Sequence, residues 1–285
     1  MASRYKRQRR LGAEDSQVVV DQSLNWCYYD HMKTLLRYPG GKAKAVKVLA
    51  QYVPQDTKKV ISPFFGGGSF EFYLSEQGIE VEGYDIFKPV VNFWKVVKYQ
   101  PADLVMCIRK FLPITKEKFL YLQQILREKN DNLFKTDLEA AAIFFVLNRC
   151  SFSGTTLSGG YSKEANAGRL TDSAIDKIIG FNSEIDVFAR SFEEVIPNAE
   201  GLLFCDPPYY LGKKSNLYGN NGDTHKDFNH ELLAELLKKK DNWILCYNND
   251  PYIKELYKDY RIVNPSWNYG MSNDKGSKEV LILNI

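Results

Sequence analysis

From Lys59 to Asp85 the chain reads KVISPFFGGGSFEFYLSEQGIEVEGYD. The run Lys59-Val60-Ile61-Ser62-Pro63-Phe64 has the apolar character of a buried strand and leads into Gly66-Gly67-Gly68. Ser69 to Glu76 reads as a helix closed by Gly78, and Ile79 to Tyr84 as a second strand ending at Asp85. Strand, glycine turn, helix, strand and acid in that order make a βαβ unit of a parallel sheet.

The pattern extends outward on both sides. Upstream, Leu35-Leu36-Arg37-Tyr38-Pro39-Gly40-Gly41-Lys42 ends in a turn, and a helical face of Val46, Leu49, Ala50 and Val53 follows, stopping at Pro54. Downstream, residues 88–182 carry mostly helical periodicity, interrupted by turn chemistry from Cys150 to Tyr161. Strand text resumes at Ile185 to Phe188 and at Leu202 to Cys205. A polar loop from Gly212 to Asp227, a helix from Asn229 to Lys240, and strands at Trp243 to Tyr247 and Glu279 to Ile285 complete the chain. The expected fold is α/β, a Rossmann-like sheet split by a mainly helical insertion. The sheet domain takes residues 34–99 and 183–285, the insertion residues 100–182, and residues 1–33 form a basic, flexible extension.

Composition narrows the class. An apolar fraction of 44% supplies a core, which argues against a disordered chain. The net charge of +3 is compatible with a nucleic-acid partner without requiring one. No apolar run approaches the ~20 residues of a membrane span, and the polar amino terminus is no secretory signal. Cys27, Cys107, Cys150, Cys205 and Cys246 lie far apart, so neither a metal site nor a disulfide framework is expected. Arg4, Lys6, Arg7, Arg9 and Arg10 make a basic cluster that reads as a solvated tail, a nuclear address or a DNA-touching arm.

A glycine turn between strand and helix lets backbone approach a ligand, and the helix amino terminus offers free N–H groups. Asp85, at the end of the next strand, stands where a nucleoside-binding sheet places its ribose carboxylate. The spacing G-x-G-x-x-G is absent, and Phe64 and Phe65 precede the glycines, which suits an uncharged cargo better than a phosphate. A ligand-free bend and an Asp capping a turn are the plainer readings of the same residues.

Asp206-Pro207-Pro208-Tyr209 follows an apolar strand directly. The prolines fix φ and end the ladder, and Asp206 is held extended before Pro207. A rigid acceptor pair results, the Asp206 carboxylate and the Pro207 carbonyl, beside the ring of Tyr209. Such a pair takes both N–H bonds of an amino group on a planar base, and the ring can stack on a base flipped from a duplex. A proline turn with a buried tyrosine is the structural alternative.

Three separated motifs together resemble the Dam-like, D12-class adenine-N6 DNA methyltransferases, from about Leu35 to the end of the chain. Tyr38-Pro39-Gly40-Gly41-Lys42 is similar to the family's aromatic-x-Gly-Gly-Lys motif. Pro63-Phe64-Phe65-Gly66-Gly67-Gly68-Ser69 is similar to its Pro-Phe-x-Gly-x-Gly-Ser loop, and Asp206-Pro207-Pro208-Tyr209 to its catalytic tetrapeptide. The resemblance implies S-adenosylmethionine as cofactor, bound by Tyr38, Gly40, Lys42, Phe65, Gly66, Gly68, Ser69, Asp85 and Asp206. Ser191 and Phe192 occupy the place where the family contacts the cofactor's adenine. Asp206, Pro207 and Tyr209 would carry the transfer to N6 of a flipped adenine.

Within the insertion, Leu147-Asn148-Arg149-Cys150-Ser151-Phe152-Ser153-Gly154 resembles a family segment leading into a hairpin that penetrates the duplex. The resemblance implies that Arg149, Phe152, Ser153, Lys163 and Arg169 meet double-stranded DNA, with Phe152 as wedge. A core phenylalanine and solvated charges are the alternative there. The family's Asn before the glycine is Ser153 here, and Thr155-Thr156-Leu157 replaces its guanine-reading arginine. Sequence specificity therefore does not carry over. Cytosine-N4 transfer and a non-catalytic DNA-binding relative are the competing functions; Asp at the head of the tetrapeptide favours adenine over cytosine, RNA or protein glutamine. No nuclease cluster stands out; the restriction partners of such restriction-modification enzymes are separate chains. A monomer is expected, in the cytoplasm of a bacterium or the nucleus of a host cell.

Overall fold

The computed structural model describes residues 34–38, 40–131, 136–210, 228–265 and 279–285. The basic cluster near the amino terminus, Pro39 and the polar loop 212–227 lie outside the described residues.

Each strand of the sheet forms where an apolar run meets a breaker. Strand β1 (Lys59–Ser62) stops because Pro63 has no N–H to continue a ladder. Helix α2 (Ser69–Glu76) starts after Gly68, whose φ of 65° turns the chain from strand to helix. Strand β2 (Glu80–Asp85) returns parallel to β1 with Val60 opposite Val81. Strands β3 (Asp186–Ala189), β4 (Leu202–Cys205) and β5 (Trp243–Asn248) extend the parallel sheet, and β7 (Glu279–Asn284) runs antiparallel beside β5. A three-residue edge strand β6 (Arg261–Val263), absent from the sequence reading, pairs with β7.

The sheet order is β3-β2-β1-β4-β5-β7-β6. The chain leaves β1 toward β3 and then returns to the other side at β4, so the topological switch point lies between the carboxyl ends of β1 and β4. The glycine loop follows one and Asp206 the other.

Both faces of the sheet are covered. Ile61, Leu203, Cys205, Leu245 and Ile282 point to a layer containing α8 (Phe192–Asn198), α9 (His230–Leu237) and α10 (Pro251–Leu256). Val60, Phe204, Ile244 and Leu281 point the other way, to α1 (Val46–Ala50), α2 and α3 (Lys88–Tyr99). That second core continues without a break into α4 (Pro101–Lys110), α5 (Lys116–Asp131), α6 (Leu138–Cys150) and α7 (Asp172–Asp176). Helix α6 is buried from Ala140 to Asn148, an apolar rod with α3, α4 and α5 packed around it. Asp137 caps it by accepting the Ala140 N–H at 2.8 Å. Among the described residues no helix is long and apolar enough to cross a membrane, and no His, Cys, Asp or Glu group could hold a metal ion.

Candidate active site at the switch point

The loop after β1 is built around Asp85. Its two oxygens accept the N–H of Gly66 and of Phe87, each at 2.8 Å. Burial pushes this carboxyl up to about 6, against the lowering effect of the Phe87, Gly66 and Ile86 N–H groups. Trp94 donates its indole N–H to Gly66 O at 2.9 Å from beneath. Tyr38 lies along the loop: a Cβ on Gly66 (φ 49°) would come 2.8 Å from its ring, and one on Gly67 3.0 Å from its Cβ. These glycines leave room for an aromatic wall directly against the buried backbone of the loop. Phe65 is 2% exposed, with its ring inside the core against Phe72 and Trp94. Its N–H goes to Tyr84 O and its carbonyl to the Gly68 N–H, both at 2.8 Å. It shapes the loop from below. Ser69 opens α2 half-buried.

Asp206 stands at the end of β4. The Lys42 ammonium, 4% exposed, donates to both of its oxygens at 2.8 and 2.7 Å, to Gly40 O at 2.9 Å and to the Tyr209 hydroxyl at 2.9 Å. Gly40, at φ 71°, makes the turn that bends the Lys42 segment back on itself. Pro207 is buried, and the Tyr209 ring tilts against Tyr247 with 5.9 Å between centroids. Residues 164 and 167 positions apart thus meet in one cluster.

Two further carboxyls surround it that no motif flagged. Glu279, buried at the start of β7, lies 3.7 Å from the Lys42 ammonium. Glu71 is buried on α2 and accepts the Ser62 hydroxyl at 2.6 Å. Burial pushes Glu71 up to about 7, with Asp206 adding to the rise and Lys42 opposing it. A charge set into an otherwise apolar run, Glu71 among Phe70, Phe72 and Tyr73 and Glu279 before Val280 and Leu281, was the available signal. Burial also pushes the Cys205 and Cys246 thiols well up, so neither is a nucleophile at neutral pH.

Ser191 spends its hydroxyl on the Glu193 N–H at 3.2 Å, capping α8. Phe192 packs on Phe64 and Phe228. Both lie one strand beyond Asp85, since β3 pairs with β2.

In the insertion, Phe152 is 68% exposed, which excludes the core reading. Ser153 beside it has φ 54°. Arg149 Nε donates to Arg169 O at 2.7 Å, and Arg169 donates to Ser162 Oγ and to Glu164, both at 2.7 Å. Burial lowers Arg149, and Arg37 and Arg169 lower it further; Arg37 itself is lowered by burial and by Arg169. Three guanidiniums thus share one neighbourhood near Phe152, with Glu164 as counter-charge. Lys163 is exposed at its edge.

Comparison with known proteins bears on what this arrangement does. The profile of a family described as D12 class N6 adenine-specific DNA methyltransferase matches residues 38–271. The Type II methyltransferase M.MjaIII of Methanocaldococcus jannaschii is 25% identical over 291 aligned positions, which cover 89% of this chain and 99% of that protein. The Type II methyltransferase M.CviBI of Paramecium bursaria Chlorella virus NC1A is 23% identical over 241, covering 80% of this chain and 88% of its own.

Proposed function

The chain belongs to the D12 class of N6 adenine-specific DNA methyltransferases, and on that premise we propose that Lys42, Asp206, Pro207 and Tyr209 form its transfer centre. The observation that carries the proposal is the Lys42 ammonium, which holds both Asp206 oxygens and the Tyr209 hydroxyl at the sheet's switch point.

The glycine loop fits S-adenosylmethionine by the chemistry of its donors. Each Asp85 oxygen accepts one N–H and keeps a lone pair, which suits two vicinal ribose hydroxyls. Tyr38 walls the loop, Gly66 and Gly68 let the buried turn pass close beside the cofactor without a side chain in the way, and Gly40 and Ser69 border it. Ser191 and Phe192 flank the side where an adenine ring would lie. S-adenosylmethionine, when bound, supplies an activated methyl group.

The chain's own residues do the rest. The Asp206 carboxylate and the Pro207 carbonyl accept the two N–H bonds of the target amine, drawing its lone pair out of ring conjugation. Tyr209 stacks on the base. Lys42 fixes the carboxylate's orientation before the base arrives, so little reorganisation is left for the reaction. Asp206 takes up the proton that the methylated amine sheds. Phe152, with Ser153, fills the gap left in the duplex, while Arg149, Lys163 and Arg169 face the phosphates. The substrate is a short double-stranded DNA site, handled by a monomer.

The test uses unmethylated plasmid, purified protein and labelled S-adenosylmethionine, with nucleosides resolved by mass spectrometry. N6-methyladenine is expected, mapped to a short recurring sequence. Its absence under conditions where the cofactor binds overturns the assignment of the transfer centre.

A further inference from the structure

Asn148 lies fully buried on α6, and its amide bridges two segments that the proposed mechanism treats separately. Its Oδ1 accepts the Arg37 N–H at 2.9 Å, and its Nδ2 donates to Arg37 O at 2.9 Å and to Gly154 O at 3.1 Å. Donor meets carbonyl and acceptor meets N–H, so the amide has one workable orientation. At the same place the two backbones touch: a Cβ on Gly154 (φ 76°) would fall 1.9 Å from Arg37 O.

Each bridged segment leads to a working part. Gly154 belongs to the loop that presents Phe152, and that loop is stiff. Ser151 Oγ accepts the Thr156 N–H at 3.0 Å, and Ser151 pairs with Tyr161. Gln123, buried on α5, donates to the carbonyls of Thr156, Leu157 and Gly159 at 2.8, 3.0 and 2.9 Å. On the other side, Arg37 opens the short segment that ends at Lys42, whose ammonium is on Asp206. Phe152 and Asp206 are therefore linked through the contact of Arg37 with this loop, in which the Asn148 amide is the buried joint, beside a bond from Arg37 Nη1 to Ser151 O at 3.5 Å.

We infer that Asn148 and Gly154 are positioning residues that set the register between the base-extruding loop and the acceptor pair, so that an extruded adenine arrives within reach of Asp206. The inference rests on the proposed roles of Phe152 and Asp206. A shift of the loop against Arg37 would leave extrusion working and deliver the base to the wrong place.

The experiment compares the full-length protein with Gly154→Ala and Asn148→Ser on a duplex carrying 2-aminopurine at the mapped target position. Three quantities are read: thermal unfolding, the fluorescence rise on base extrusion, and the single-turnover methylation rate on the unmodified duplex. The expected result is a folded variant with its fluorescence response preserved and its transfer rate lowered roughly ten- to hundred-fold, the scale of a ~1 Å misplacement. Asn148→Ser opens the same contact by deletion where Gly154→Ala opens it by collision, so a folding defect in one leaves the other to decide. A transfer rate within threefold of the parent, or one that falls only in step with the extrusion signal, overturns the inference. Phe152→Ala in the otherwise unchanged protein separates the two levels. If it leaves the fluorescence rise intact, the role of Phe152 itself is wrong; if it abolishes the rise while Gly154→Ala transfers normally, only the register is wrong.

Discussion

Replacing Glu71 by glutamine should stabilise the protein at alkaline pH and destabilise it in acid. The carboxyl is 3% exposed, and burial pushes it up to about 7, against 4.5 for a free glutamate. Between those two values the native state keeps a proton that the unfolded chain has lost. The glutamate's stabilising share is therefore fully present below pH 4.5 and is lost as pH rises through 7. The loss is well under 1 kcal/mol at pH 4.5 and about 3 kcal/mol at pH 8.5. Glutamine never ionises and keeps an oxygen for the Ser62 hydroxyl. Its added N–H groups cost roughly 1 kcal/mol where they find no acceptor. The net is a variant more stable by about 2 kcal/mol at pH 8.5, equal near pH 5 and slightly weaker below. For a domain of this size that corresponds to a rise in Tm of about 4–8 °C at pH 8.5. Urea unfolding of both proteins from pH 4.5 to 8.5 reads it directly, since ionisations common to both cancel in the difference. Parallel stability curves across that range would refute the reasoning and return Glu71 to an ordinary solvated acid.

Other expectations concern the site. Asp206→Ala should lower methyl transfer by roughly a hundred- to thousand-fold, the scale of one lost acceptor in the transition state, with far-UV circular dichroism unchanged; retained activity would remove it from the transfer centre. Asp85→Ala should weaken S-adenosylmethionine binding, measured by calorimetry, far more than DNA binding. In the parent that affinity should fall as pH drops below about 6, where Asp85 takes up its proton; a flat profile would contradict the ribose assignment. Gly68→Ala should lower stability by roughly 1–3 kcal/mol, because φ 65° disfavours a side chain and its Cβ would lie 2.5 Å from the Phe72 ring; a neutral melt would show that the loop relaxes freely.

What could be read in advance was what local chemistry dictates. Helix α2 and strand β4 run where the sequence placed them, because Gly68 and Gly78 punctuate one and Pro207 and Pro208 stop the other. The meeting of the Lys42 and Asp206 segments was legible as two motifs, each stiffened by its own glycines or prolines. Edge strand β6 was missed: three residues beside β7 carry too little periodicity to stand out. Helix α10 was missed although Asp250 and Pro251 are an N-cap and a helix start, the cap accepting the Tyr252 N–H at 2.8 Å. Asn148 reads in sequence only as part of a motif and Gln123 carries no signal, since their bonds span 111 and 33 to 36 positions. Nothing in their own neighbourhoods announces a partner so far along the chain. The roles of Glu71 and Glu279 were hidden for the same reason: a buried acid reads as an exposed one until its surroundings are known.

The hold of Lys42 on Asp206 means that the resting enzyme carries its own counter-ion. A carboxylate at strand ends beside a glycine loop is the sort of place where sodium or magnesium would otherwise settle. A tethered ammonium cannot diffuse away or be removed by a chelator. The site is thus charge-compensated before any visitor arrives, and it opens to a donor that offers two N–H bonds in one plane.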